Sequence, residues 1–363
     1  MIEATALASA ATRLRERRAP ILVATVVRTQ GSSYRRPGAR LVATAEGRVA
    51  GSVSGGCLER DLIRTGFWRS RSGPVVVRYD SLDVDEGERV LGCGGIVDVL
   101  LEQGVAGADS DPLSWLVAAV GCDEPATIAT AIETTDATIP LGARWVLTAR
   151  ELVAASHREA RAVIAALASA VTPERPSHRE IATERGRVTL LVEPVVPTPH
   201  LFIFGDGADV LPLIVIARSL GWTVTVWSAV HSFETRSRLA GAGACVETRL
   251  EAMRAGLDAG GPTMAVIMGH ALSRDRAALE AAVASRAIYI GVLGPRHRTA
   301  SLARDLPEGL LSDPRVHSPV GLDLGAETPE EIALSIASEL LAVARRASGQ
   351  ALRRRSSIHD DAA

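Results

Sequence analysis

The hydrophobic and polar positions of this chain fall into two regimes. In the first, short β-branched runs are broken by loops of Gly, Ser and Arg. Residues 3–18 carry Leu7, Ala10, Ala11 and Leu14 at helical spacing and close on Arg15, Arg17 and Arg18, which predicts a helix stopped by Pro20. Ile21–Arg28 reads as a strand, followed by strands at Arg40–Thr44 and Arg48–Ser52 around a Glu46-Gly47 turn. Leu58, Leu62, Ile63 and Phe67 put one apolar stripe on a helix over Leu58–Arg69. Strands follow at Pro74–Tyr79 and Ile96–Leu101, with an acidic loop, Asp80–Glu88, between them, and then a helix at Pro112–Val120. The Ala-rich stretch Glu151–Ala170 predicts one long helix, 172–187 a polar segment, and Val188–Val192 a strand. Val23-Ala24-Thr25-Val26-Val27 through Gly38-Ala39-Arg40-Leu41-Val42 has a weak echo in Ile128-Ala129-Thr130-Ala131-Ile132 through Gly142-Ala143-Arg144-Trp145-Val146. An internal repeat and chance similarity in an Ala/Thr/Val-rich chain both account for it.

Pro194-Val195-Val196-Pro197-Thr198-Pro199 is stiff and cannot continue a helix, so it marks a boundary. Beyond it continuous apolar runs alternate with helical patterns. Strands are expected at Leu201–Phe204, Thr223–Trp227, Met264–Met268 and Ile288–Val292, and helices at Val210–Leu220, Ser232–Ala240, Ser273–Ser285 and Thr328–Arg346. The last opens Thr328-Pro329-Glu330-Glu331, an N-cap followed by proline and acids. The expected fold is α/β: an N-terminal mixed α/β domain over 1–194, a Rossmann-like doubly wound parallel sheet over 200–348, and a disordered tail over 349–363.

Composition narrows the chemistry. Aromatic residues are only 3% against 47% hydrophobic, so the core is aliphatic. The net charge of -2 points to no nucleic-acid partner. All 40 basic residues are Arg, with no Lys and no Asn, which excludes a Schiff-base or phosphate-loop lysine. No run reaches the ~18 apolar residues of a membrane span, and no N-terminal run resembles a signal segment. A cytoplasmic protein is therefore expected. The four cysteines make no disulfide framework and show no Cys-x-x-Cys spacing for zinc.

Three loops concentrate the remaining chemistry. Gly31-Ser32-Ser33-Tyr34-Arg35-Arg36-Pro37-Gly38-Ala39-Arg40 joins successive backbone N–H groups, able to form an anion nest, to the arginines Arg35, Arg36 and Arg40. Ser54-Gly55-Gly56-Cys57 precedes a helix, where the N-terminus favours anions and lowers a thiol pKa. Cys93-Gly94-Gly95 echoes it. Cys57 and Cys93 are the candidate reactive thiols, expected to converge, with Cys57 the more reactive. Cys122 and Cys245 are expected in the core, and Glu59 as a helix-capping acid. His270 follows a strand end in the second domain, where α/β folds place ligands. Tight turns for the glycines, solvated loops for the arginines and a backbone-bonded ring for His270 are the plainer alternatives.

These words, in order, resemble the XdhC/CoxI family of xanthine dehydrogenase accessory factors. They are Ala24-Thr25-Val26-Val27, Gly31-Ser32-Ser33, Pro37-Gly38-Ala39-Arg40, Ser54-Gly55-Gly56-Cys57-Leu58-Glu59 and Gly92-Cys93-Gly94-Gly95 in the first part. In the second they are Met268-Gly269-His270, Tyr289–Arg296, Pro319–Gly325 and Thr328–Ala333. The resemblance implies a protein that binds molybdenum cofactor, assists its sulfuration and inserts it into a xanthine dehydrogenase- or CO dehydrogenase-type molybdenum hydroxylase. A cysteine desulfurase is the implied sulfur donor, and a homodimer the implied state. Gly31, Ser32, Ser33, Arg35, Arg36, Arg40, Ser54, Gly55, Gly56, Cys57, Gly94, Gly95 and His270 would contact the cofactor. Two departures stand out: the family's Gly-Ala-Gly-His-Val-Ala turn is Gly205-Asp206-Gly207-Ala208-Asp209-Val210, and its acid at the second strand end is Ser228. Both weaken a dinucleotide site, as does Val210 where helix and strand need a small residue. A nicotinamide-dependent oxidoreductase and a non-catalytic scaffold for a dehydrogenase are the rival readings.

Overall fold

A computed structural model describes residues 2–31, 33–56, 58–80, 95–122, 124–155, 160–168, 175–228, 232–304, 310–351 and 353. The chain divides after Pro197 into two compact units.

The first unit contains α1 (Ile2–Glu16), β1 (Pro20–Gln30), β2 (Arg40–Thr44), β3 (Gly47–Gly51), α2 (Glu59–Arg69), β4 (Val75–Asp80) and β5 (Ile96–Val105). It continues with α3 (Ser114–Val120), β6 (Ala126–Thr134), β7 (Arg144–Thr148), β8 (Leu152–Ala155), α4 (Arg161–Ala168), β9 (Ser177–Thr183) and β10 (Gly186–Val195). Its two five-stranded sheets have the same order, β3-β2-β1-β5-β4 and β8-β7-β6-β10-β9, and all their pairings are antiparallel. The weak sequence echo is therefore a whole structural repeat. Thr25 faces Arg40 as Thr130 faces Arg144. The Gly38 N–H donates to Val26 O at 2.8 Å, and the Gly142 N–H donates to Ala131 O at the same distance.

The halves are clamped by exchanged charges. Arg40 of the first half pairs with Glu193 of β10 at 2.5 Å; Arg144 of the second pairs with Glu102 of β5, Nη1 to Oε1 at 2.7 Å. All four are buried. Trp115 of α3 lies between the two guanidiniums, 4.7 Å and 4.6 Å from ring centre to Cζ. A cluster of Val27, Leu100, Ile132 and Leu191 closes the seam with equivalent residues from each copy.

The Glu151–Ala170 region is not one helix. Leu152–Ala155 pairs with β7 and the helix is confined to Arg161–Ala168, because completing the second sheet outweighs the helix preference of Ala and Leu. The 172–187 segment contains β9, and Pro194 and Val195 belong to β10 rather than to the linker.

The second unit has β11 (His200–Phe204), α5 (Val210–Ser219), β12 (Thr223–Trp227), α6 (Phe233–Gly241), β13 (Cys245–Glu247), α7 (Leu250–Leu257), β14 (Thr263–Ile267) and α8 (Leu272–Val283). β15 (Tyr289–Val292), α9 (Arg296–Ala303), β16 (Val316–His317) and α10 (Pro329–Ala344) complete it. The sheet order is β13-β12-β11-β14-β15-β16 and every pairing is parallel. Strands buried on both faces explain the continuous apolar runs. Thr328 caps α10 in a capping box with Glu331. Among the described residues no helix is long and apolar enough to cross a membrane.

Candidate functional site

In the first unit the arginine loop and the Ser54 loop meet. A Cβ built on Gly55 would lie 4.0 Å from Tyr34 Cγ, and Tyr34 is 71% exposed. Gly31, Arg36, Gly55 and Gly56 are exposed beside it, Ser33 and Arg35 half-buried. Gly31 and Gly56 adopt φ of +72° and +115°, which glycine enters without a Cβ penalty. The Ser33 hydroxyl donates to Arg35 O at 2.8 Å and tightens the turn.

The second loop is organised by Glu59, which does not serve mainly as a helix cap. One carboxylate oxygen, Oε1, accepts from the Ser52 hydroxyl at 2.7 Å, the Val53 N–H at 3.0 Å and the Ser54 N–H at 2.8 Å. The other accepts from the Ser54 hydroxyl. Ser54 Oγ in turn accepts from the N–H groups of Gly56 and Leu58, both at 3.1 Å. Burial pushes the Glu59 pKa up, but the hydrogen bonds from Ser54, Ser52 and the backbone win and hold it at about 2. The Val53 and Ser54 N–H groups, just ahead of the expected anion-favouring helix start, thus already hold an anion, the protein's own. Among the described residues, the Gly55 N–H is left without an acceptor.

The Arg40 guanidinium is buried against Glu193 and Trp115, where it joins the two halves of the first unit. Gly38 serves the same clamp, since a Cβ there would run into Glu193 Oε1. Gly95 is buried just before β5. Ser32, Cys57, Cys93 and Gly94 lie outside the described residues. Cys122 is half-buried, and Cys245 is exposed rather than in the core, because it opens the edge strand β13.

In the second unit, His270 is exposed beyond the end of β14. Its Nε2 would lie 3.3 Å from a Cβ on Gly207, so it flanks the turn after β11. Arg298 fixes that end of β14: it donates to Leu293 O at 2.7 Å and Gly269 O at 2.6 Å and pairs with the buried Asp275. Burial still raises the Asp275 pKa despite Arg298. The two turn acids differ in placement. The Ser228 hydroxyl donates to Asp206 Oδ2 at 2.6 Å, while Asp209 lies over Gly207, where a Cβ would meet its Oδ1. Sequence reasoning missed both the Glu59 network and the Asp206–Ser228 pair. The Ser52-x-Ser54 spacing ahead of Glu59 is the one signal that points to the first.

A duplicated antiparallel unit followed by a Rossmann-type parallel unit defines the class. Comparison with known proteins agrees: residues 14–80 match the profile of the XdhC and CoxI family, and residues 201–340 that of the XdhC Rossmann domain. The chain belongs to the XdhC and CoxI family. It is 26% identical over 328 residues to a Bacillus subtilis (strain 168) protein named as a probable xanthine dehydrogenase component, covering 90% of this chain and 93% of that one. It is 36% identical over 80 residues to the uncharacterized protein YqeB of Escherichia coli K12, covering 21% of this chain and 15% of that protein. The crystal structure of a xanthine dehydrogenase from Bacillus halodurans shares the fold, with a TM-score of 0.70 at 23% identity over 97% of this chain and 98% of that one.

Proposed function

We propose that the chain is an accessory protein that binds molybdenum cofactor through its first unit and assists its sulfuration and insertion into a xanthine dehydrogenase-type molybdenum hydroxylase. The observation that carries the reading is the approach of Tyr34, in the Gly31–Arg36 turn, to the Gly55 backbone. The cofactor is a pterin dithiolene with a terminal phosphate and a soft metal–sulfur head. The donor set fits it: arginine for phosphate, glycine backbone without side chains for close approach, a Gly55 N–H with no acceptor among the described residues for an anionic oxygen, and an aromatic face at Tyr34. When bound, the group supplies the metal and the sulfur chemistry; the chain binds, orients and shields it. Cys57, next in sequence to Gly56, is the thiol best placed by sequence to reach a soft head. Family membership and the xanthine dehydrogenase names of its relatives support a molybdenum hydroxylase as the receiving partner. A cysteine desulfurase as sulfur donor and a homodimeric state belong to the same proposal.

Replacing Arg35 and Arg36 together by Ala tests the site. Cofactor affinity should fall about tenfold or more, since each lost charge-assisted contact is worth roughly 1.5–3 kcal/mol. Equilibrium binding of purified cofactor to the folded double variant measures it, and an unchanged affinity would place the site elsewhere.

A further inference from the structure

The second unit carries two sequence departures that the structure joins into one feature. A doubly wound sheet that binds a dinucleotide places an acid at the end of its second strand, about 20 residues beyond the glycine turn, to accept the ribose 2′-hydroxyl. Here that place, after β12, is taken by Ser228, which is fully buried. The carboxylate comes instead from the turn: Asp206 is held by the Ser228 hydroxyl at 2.6 Å through Oδ2. Arg238 of α6 donates to the Asp206 main-chain oxygen at 2.8 Å and fixes the turn from the other side. Asp206 is half-exposed, and its Oδ1 makes no hydrogen bond to a described residue. One oxygen is anchored and, among the described residues, the other takes no hydrogen bond, on the β12 side of β11, where the strand-end acid of a dinucleotide site would lie. The phosphate side of such a site is different. Asp209 covers Gly207, the glycine over which a pyrophosphate would pass, and the buried Val210 opens α5.

We infer that the second unit binds a ribonucleoside through its free 2′,3′-diol, with Asp206 doing what a strand-end acid does elsewhere and with the diphosphate subsite closed by Asp209. The inference is independent of the reading of the first unit. Isothermal titration of the full chain with adenosine, guanosine, cytidine and uridine tests it. At least one nucleoside should bind saturably. Its 2′-deoxy form and the Asp206→Ala variant should each bind roughly tenfold more weakly or worse, because a site built around a hydroxyl rejects the ligand lacking it. The Asp206→Ala/Ser228→Asp double variant, which returns the acid to the strand, should regain most of the affinity. If adenosine is the ligand, NAD should bind no tighter than adenosine. No binding by any of the four at millimolar concentration, or wild-type affinity in Asp206→Ala, overturns the inference. The deoxy and single-variant arms decide it even if the double variant does not fold.

Discussion

Glu59 supplies the anion of a loop whose glycines suggested a foreign one. Its replacement by Gln separates the parts of the network. Gln keeps an Oε1 acceptor for Ser52, Val53 and the Ser54 N–H. It also turns an N–H toward Ser54 Oγ, whose lone pairs already serve Gly56 and Leu58, and the Ser54 proton loses its acceptor. Glu59→Gln and Ser54→Ala should each cost about 1–3 kcal/mol. Both should speed hydrogen exchange at Gly56 and Leu58, while Glu59→Gln leaves Val53 protected. Equal exchange at all of these amides in wild type and variants would mean that the network does not hold the loop. The pH sign follows from a folded pKa of about 2 against an ordinary value of 4.5. The stabilisation, about 3 kcal/mol, is fully present above pH 4.5 and is lost as pH falls toward 2. Acid unfolding of Glu59→Gln should lack that share of the slope between those values.

Among the elements, the strands of the first unit show what duplication contributes. Each half lends an arginine from its second strand to a glutamate on the last strand of the other, with Trp115 between them. Removing one member of such a buried pair strands a charge and costs about 3–5 kcal/mol, whereas replacing both by apolar residues of similar volume costs far less. Glu193→Ala and Glu102→Ala should therefore destabilise similarly, and Arg40→Met/Glu193→Leu much less than Glu193→Ala alone. Urea midpoints measure this; a double variant as unstable as the single one would contradict the clamp. The elements also show what a sequence displays. Parallel strands such as Leu201–Phe204 are apolar on both faces and bounded by turns, so they were legible. Leu152–Ala155 was not, because its composition favours helix and only pairing with β7 makes it a strand. The candidate loops were legible from their glycines and arginines, since those residues are chosen for backbone freedom and charge. The partners were not: Arg40 meets Glu193, and Asp206 meets Ser228, across distances in sequence that no local pattern encodes.

At the scale of the whole molecule, the two copies of the duplicated unit differ in their loops. The first copy has the Gly31–Arg36 turn and the Glu59-held loop. In the second, the turn is shorter and lacks the paired arginines, while Thr130 and the Gly142-Ala143-Arg144 run persist. The second unit is a six-stranded parallel sheet of the Rossmann type. The proposed binding of molybdenum cofactor by the first unit is measured most directly by what the purified chain carries. Protein produced in cells that make the cofactor, then denatured and oxidised, should release a fluorescent pterin in amounts that rise with the protein and drop sharply in the Arg35→Ala/Arg36→Ala variant. No pterin above that from an unrelated control protein, with nicotinamide recovered in its place, would contradict the account.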